Sequence, residues 1–208
     1  MLSVTDRFFN LTDHSDLAKT VELSQAMLAI DSEATDLCAG LNEEQLSWCS
    51  SPGRWSIAQN LAHLRRTTEV FLPVVDSALD ATRNLKLDGA GQCRLKFYGR
   101  LLVWRTEGRP IIRMQAPKQL RPRLLSSPDL ELEHFLIAQT AMRQRIEDAH
   151  GLNLTAMRFP SPVARYFRVN LLEFFSVFNA HSRRHLRQVK NVRRILPSSS
   201  CQAPNRMH

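Results

Sequence analysis

Apolar residues along this chain recur at steps of three and four, in blocks separated by turn-forming clusters. This pattern predicts four long helices. Leu17, Val21, Leu23, Leu28, Ile30 and Leu37 mark the first, over residues 16–39, with Gly40 as its stop. The segment LNEEQLSWCSSPGRWS then reads as a turn with a short helix, capped by Asn42 and carrying Glu43 and Glu44 in its first turn, before Pro52-Gly53 breaks the chain. Ser56 is the expected N-cap of the second long helix, which runs to about Asn84 on the stripe Ile57, Leu61, Leu64, Phe71, Val75 and Leu79. Pro73 lies well inside it, where a kink or a local loss of hydrogen bonding is expected.

Residues 85–128 form a long connection rich in Gly and Pro, with a short helix expected near Cys93–Trp104. Phe97, Tyr98 and Trp104 are expected to pack this connection down. The third helix starts from Ser127 or Asp129 as cap and runs to about His150, with Gly151 as its stop. Residues 151–168, with Pro160 and Pro162, read as a loop. The fourth helix spans about Asn170 to Ile195 and ends at Pro197. Four long helices without a convincing sheet predict an all-α fold, a four-helix bundle. A parallel pair of second and third helices needs a crossover the length of a helix, which accounts for residues 85–128. A single domain is expected over residues 1–196, followed by a polar, disordered tail at 197–208.

Composition narrows the setting. The 208 residues suffice for one domain with a proper core. No stretch approaches the roughly 18 apolar residues of a membrane span, and MLSVTDRFFNLTDHSD, with acidic residues and no long apolar core, is not expected to act as a secretory signal. Cys38, Cys49, Cys93 and Cys201 lack metal-knuckle spacing and read as reduced thiols of a cytoplasmic protein. The net charge of +8 is unevenly spread. Nine Lys or Arg against one acid, Glu107, lie between Arg94 and Arg123, and six without an acid lie between Arg183 and Arg194. Such runs serve as a solvated face, or meet a nucleic acid, an anionic surface or an anionic small molecule.

Candidate chemistry centres on histidine. His181 and His185 stand at i and i+4 on the fourth helix and so share one face. They interrupt the stripe Phe174, Phe178, His181, His185, Gln188, Val192 and Ile195, a core face where an unpartnered imidazole costs a few kcal/mol. His63 lies on the second helix. Facing helices would let three imidazoles grip one side of a metal ion and leave the other side open, as catalytic sites do. The alternative is three separate histidines, each bonded to a carbonyl or carboxylate. Gln59, Thr67 and Gln188 are candidate pocket residues. Arg113, Lys118, Arg121 and Arg123 of the crossover are candidate anion-binding residues. The glutamate base of H-E-x-x-H is missing, and no Gly-rich phosphate loop occurs.

The segments PGRWSIAQNLAHL (Pro52–Leu64) and HSRRHLRQ (His181–Gln188), with LNEEQLSW before them and IIRMQAPKQLRP in the crossover, resemble the DinB-like superfamily. The resemblance covers residues 41–188. It implies a bundle of up-down-down-up topology with a long crossover between helices 2 and 3. It also implies a divalent metal (Ni, Zn, Fe or Mn) at His63, His181 and His185, a small-molecule substrate, a low-molecular-weight thiol and a homodimer. The activity implied is that of a metal-dependent thiol transferase or hydrolase. The alternative function is a non-catalytic protein that binds nucleic acid or anionic partners through its basic surface.

Overall fold

The computed structural model describes residues 16–85, 94–108, 116–124 and 127–197. It is mostly helical, as the periodicity requires. In chain order the elements are α1 (Asp16–Cys38), α2 (Glu43–Ser47), α3 (Ile57–Asn84), α4 (Phe97–Glu107), α5 (Glu131–Asp148), a two-stranded hairpin of β1 (Phe159–Ser161) and β2 (Ala164–Val169), and α6 (Leu171–Arg194). Short 3-10 turns occupy Lys118–Leu120 and Pro128–Leu130.

Side-chain pairs fix how the long helices run. Arg65 meets Glu131, Asp76 meets Arg145, and Arg83 donates to the Asp148 carbonyl, so α3 and α5 run parallel. Ser24 donates to Glu147 and Asp31 lies beside Gln139, which sets α1 antiparallel to α5. Asn179 donates to the Leu23 carbonyl and Arg193 to that of Asp36, so α1 and α6 are parallel. Asn60 meets His185 and Phe71 packs on Phe174, so α3 and α6 are antiparallel. The parallel α3–α5 pair accounts for the length of the crossover, as expected from the sequence.

Two apolar clusters fill the interior. One gathers Met27, Val75, Met142, Ile146, Leu172 and Phe175; the other gathers Ile30, Ala34, Ile57, Leu61, Phe135 and Leu186. Full burial of each large side chain contributes about 1.5–3 kcal/mol. Between the clusters, on the facing helices, lie buried polar residues: Thr67 and Thr68 on α3, Gln139 on α5 and Ser182 on α6. The Thr67 and Thr68 hydroxyls donate back to the His63 and Leu64 carbonyls and are satisfied within α3. The Arg65–Glu131 pair is also buried, with side chains 3% and 0% exposed, and removing one partner would cost about 3–5 kcal/mol.

Several expectations need correction. The buried stripe of α1 is Thr20, Leu23, Ser24, Met27, Ile30, Ala34, Leu37 and Cys38, while Val21 and Leu28 face outward. Small or polar Thr20, Ser24 and Ala34 interleave with Leu23, Met27, Ile30 and Leu37 on this face, so hydropathy alone misplaces part of it. Helix α3 continues past Pro73, and the one hydrogen bond that Pro73 cannot donate is lost locally, as the sequence expects. Pro73 is exposed, so water can serve the carbonyl that its missing N–H leaves free. No side chain caps α5: the Ser127 hydroxyl bonds the Asp129 carboxylate, and the 3-10 turn leads directly into the helix. The expected loop at 151–168 contains the hairpin, paired Phe159↔Val169, Pro160↔Arg168 and Ser161↔Ala164 with an irregularity after Pro160. Buried Phe159 and Val169 tie it to the first cluster. Phe97 and Trp104 do not pack inward: they are 82% and 72% exposed. Close approach of α4 relies instead on Gly99, where an added Cβ would stand 2.9 Å from Leu95 Cδ2 and 3.0 Å from Glu173 Cγ. The tail from residue 198 lies outside the described residues.

Candidate metal centre

Capping boxes fix the starts of both site helices. Ser56 and Gln59 exchange side-chain and backbone bonds at the head of α3, and Asn170 and Glu173 do so at the head of α6. His63 then falls two turns into α3, and His181 and His185 fall one turn apart on α6. Antiparallel packing brings the three rings together. Their centroids are 5.2 Å (His63–His181), 4.5 Å (His63–His185) and 4.6 Å (His181–His185) apart. One ring nitrogen from each lies within 4.8 Å of the other two, and His63 Nε2 and His181 Nε2 are 3.3 Å apart.

Neighbours determine which nitrogens are free. The Leu120 carbonyl only accepts, so His63 donates to it through Nδ1 at 2.5 Å, leaving Nε2 of the neutral ring with a bare lone pair. Asn60 Nδ2 donates to the Ser56 carbonyl, which turns Oδ1 of the amide toward His185. His185 Nδ1 donates to that oxygen at 3.0 Å, and its Nε2 is bare as well.

The electrostatics keep the rings neutral. Burial lowers the His63 pKa, opposed by the Leu120 bond and reinforced by Arg184. Burial, then His63 and then Arg184, brings His181 down to about 3, although His181 retains more accessible surface than the other two rings. His185 is held well below the ordinary imidazole value by burial, His181, His63 and Arg184. Three neutral imidazoles, each offering a ring nitrogen to the same small space and two of them with the lone pair fixed there, are a donor set that suits a divalent ion. Nitrogens about 2.0–2.1 Å from a shared ion in tetrahedral array would sit roughly 3.3–3.4 Å apart, and the His63–His181 spacing matches this.

A family model of the DinB superfamily matches residues 30–189, from the middle of α1 to the second half of α6. The chain belongs to the DinB superfamily. No curated protein and no solved structure gives a significant match.

In this DinB-superfamily chain the three-histidine cluster is walled by groups whose role the sequence did not reveal. The Trp55 ring lies over His63 and His185, with centroids 4.8 and 5.8 Å away. The crossover covers the site through its backbone: the Gln119, Leu120 and Arg123 carbonyls accept from Arg66, His63 and Arg65 of α3. On the other side, Glu107 at the end of α4 binds Arg183 at 2.7 Å, and its carbonyl accepts from Arg187. Both site helices are therefore tied to the crossover.

Of the sequence-predicted pocket residues, Gln59 sits in the α3 capping box with Cys49 Sγ 3.8 Å from its oxygen, Thr67 bonds the His63 carbonyl, and Gln188 is half-buried on α6. Of the anion-binding candidates, Arg113 lies outside the described residues. Lys118, Arg121 and Arg123 are exposed, while the cation acting on all three rings is Arg184. Asn60, at i−3 from His63, had a readable signal, since that spacing puts it on the His63 face. Leu120 and Arg184 had none. Two surface depressions, one along α5 at Asp129–Thr140 and one between Arg94 and Glu173, contain none of the three histidines. Donor convergence, not cleft size, singles out this centre.

Proposed function

We propose that the protein is a metal-dependent enzyme, a thiol transferase or a hydrolase acting on a small molecule, in which His63, His181 and His185 hold one divalent ion. The observation that carries this reading is the pair of bare Nε2 atoms on His63 and His185, each aimed by a bond at the opposite nitrogen, beside His181. When bound, the ion supplies positive charge that lowers the pKa of a thiol or water entering the site. Leu120 and Asn60 hold the rings in one tautomer and orientation, and Trp55 limits access of water. Gln59, Thr67 and Gln188 are the polar groups of the same helix faces.

The fold reading that accompanies this is an up-down-down-up four-helix bundle of α1, α3, α5 and α6, with the crossover between the second and third. The α3–α5 and α1–α6 parallel pairs and the α1–α5 and α3–α6 antiparallel pairs support it.

Elemental analysis tests the centre. Protein purified without chelator is expected to hold about one equivalent of divalent metal, lost in His63→Ala and His181→Ala. Failure to retain nickel, zinc, manganese or iron would remove the site and the enzyme reading with it. A second reading, a non-catalytic protein that binds nucleic acid, draws support from the exposed Lys118, Arg121 and Arg123. It requires binding to random-sequence DNA or RNA that weakens steeply with salt.

A further inference from the structure

Helix α6 carries three arginines around its histidine pair, and they have different surroundings. Arg183 and Arg187 both engage Glu107 of α4. Arg184, between them in sequence, makes no hydrogen bond or ion pair among the described residues, and its buried Nε has no partner. It stands on α6 at i+3 from His181 and next to His185, beside the histidine face of the helix. The residue is half-buried and partly desolvated, and Arg187 adds like charge nearby. A guanidinium kept short of water and of a counter-ion has a strong preference for an anion that can reach it.

We propose that Arg184 is an anion-binding residue of the three-histidine site, and that the ligand is a small carboxylate whose neighbouring donor atom faces the histidines. This rests on the metal reading above. The planar fork of Arg matches a carboxylate with two parallel N–H···O bonds. A carboxylate is the match for a single guanidinium: Arg183 and Arg187 are both turned toward Glu107, whose one carboxylate offsets one of their two charges, so Arg184 is the fork left to face a ligand. Three neutral imidazoles leave the charge of a bound dication uncancelled, so the centre and Arg184 together attract an anion. The ligand arrives carboxylate to Arg184, with its adjacent hydroxyl, thiol or carbonyl toward the ring nitrogens.

The probes are glycolate and its neutral isostere glycolamide, titrated calorimetrically into cobalt-loaded protein, with metal content measured on every sample. Wild-type protein is expected to bind glycolate at least about tenfold more tightly than glycolamide, the usual worth of a charge-assisted pair. Arg184→Gln is expected to hold metal normally and to lose most of that preference. Arg184→Lys, which keeps the charge without the fork, is expected to retain part of it. Full metal content with an undiminished preference in Arg184→Gln, or no preference in the wild type, would overturn the Arg184 assignment and leave the metal centre standing. Absence of metal from the wild type would instead overturn the metal reading, and this proposal with it.

Discussion

Asn60 on α3 orients His185 on α6. Its Nδ2 is anchored on the Ser56 carbonyl at 2.9 Å, and its Oδ1 accepts from His185 Nδ1 at 3.0 Å. The amide cannot turn over without losing both bonds, so a contact at the head of α3 selects the tautomer of a ring on another helix. Asn60→Leu, close to isosteric, frees the ring to rotate. We expect metal affinity to fall about 10–100-fold with the helical fold retained. Competition against a chelator of known affinity, beside circular dichroism, measures both. Unchanged affinity would show that packing alone orients His185.

Trp55 packs its ring against His63, with ring centroids 4.8 Å apart. Adding nickel or cobalt to metal-free protein is expected to quench tryptophan emission, and Trp55→Phe should remove most of that quenching. Quenching that persists in Trp55→Phe would place the bound ion near Trp48 or Trp104 instead.

Asp31 on α1 lies beside Gln139 and Arg143, with one carboxylate oxygen buried and unpaired, and burial raises its pKa to about 6. The folded value exceeds the unfolded one of about 3.9, so the folded state binds the extra proton between pH 4 and 6. Stability from this group is therefore present at low pH and lost as pH rises through 6. Asp31→Asn should raise stability at pH 8 by on the order of 1–2 kcal/mol after allowance for solvent screening, and change little at pH 4. Urea unfolding at the two pH values gives the difference. An equal effect at both would mean the carboxyl does not titrate differently on folding.

Gly99 sets the distance between α4 and the start of α6. Gly→Ala inside a helix ordinarily gains about 1 kcal/mol, but here Cβ would press on Leu95 and Glu173 at 2.9 and 3.0 Å. Gly99→Ala should be near neutral. Gly99→Val should cost about 1–3 kcal/mol by overpacking and speed hydrogen exchange in Phe97–Glu107. A stabilised Gly99→Val would show that α4 packs loosely.

Much of the fold is local in origin. The stripes of α3 and α6, the caps Asn42, Ser56 and Asn170, and the stops at Gly40 and Gly151 are written in short-range spacing and turn chemistry. The hairpin was obscured because Pro160 and Pro162 carry loop signals, whereas its pairing depends on long-range contact of Phe159 with Phe174. The face of α1 was misread because Thr20, Ser24 and Ala34 are buried by fit, not by hydrophobicity.

For the candidate site, the sequence by itself determined that His181 and His185 share a helix face, since 3.6 residues per turn leaves no alternative. Its family motifs singled out His63 as their companion. Only the tertiary structure decided that the three nitrogens converge, because that follows from the antiparallel packing of α3 on α6. Tertiary structure also distinguishes the cations of α6 from one another. Charge counting favoured the crossover, whose basic side chains at 118, 121 and 123 are exposed while its carbonyls meet α3. Arg184 is indistinguishable from Arg183 and Arg187 in sequence. It differs because Glu107, 77 positions earlier, lies within reach of its neighbours and not of it, a consequence of where the chain folds α4.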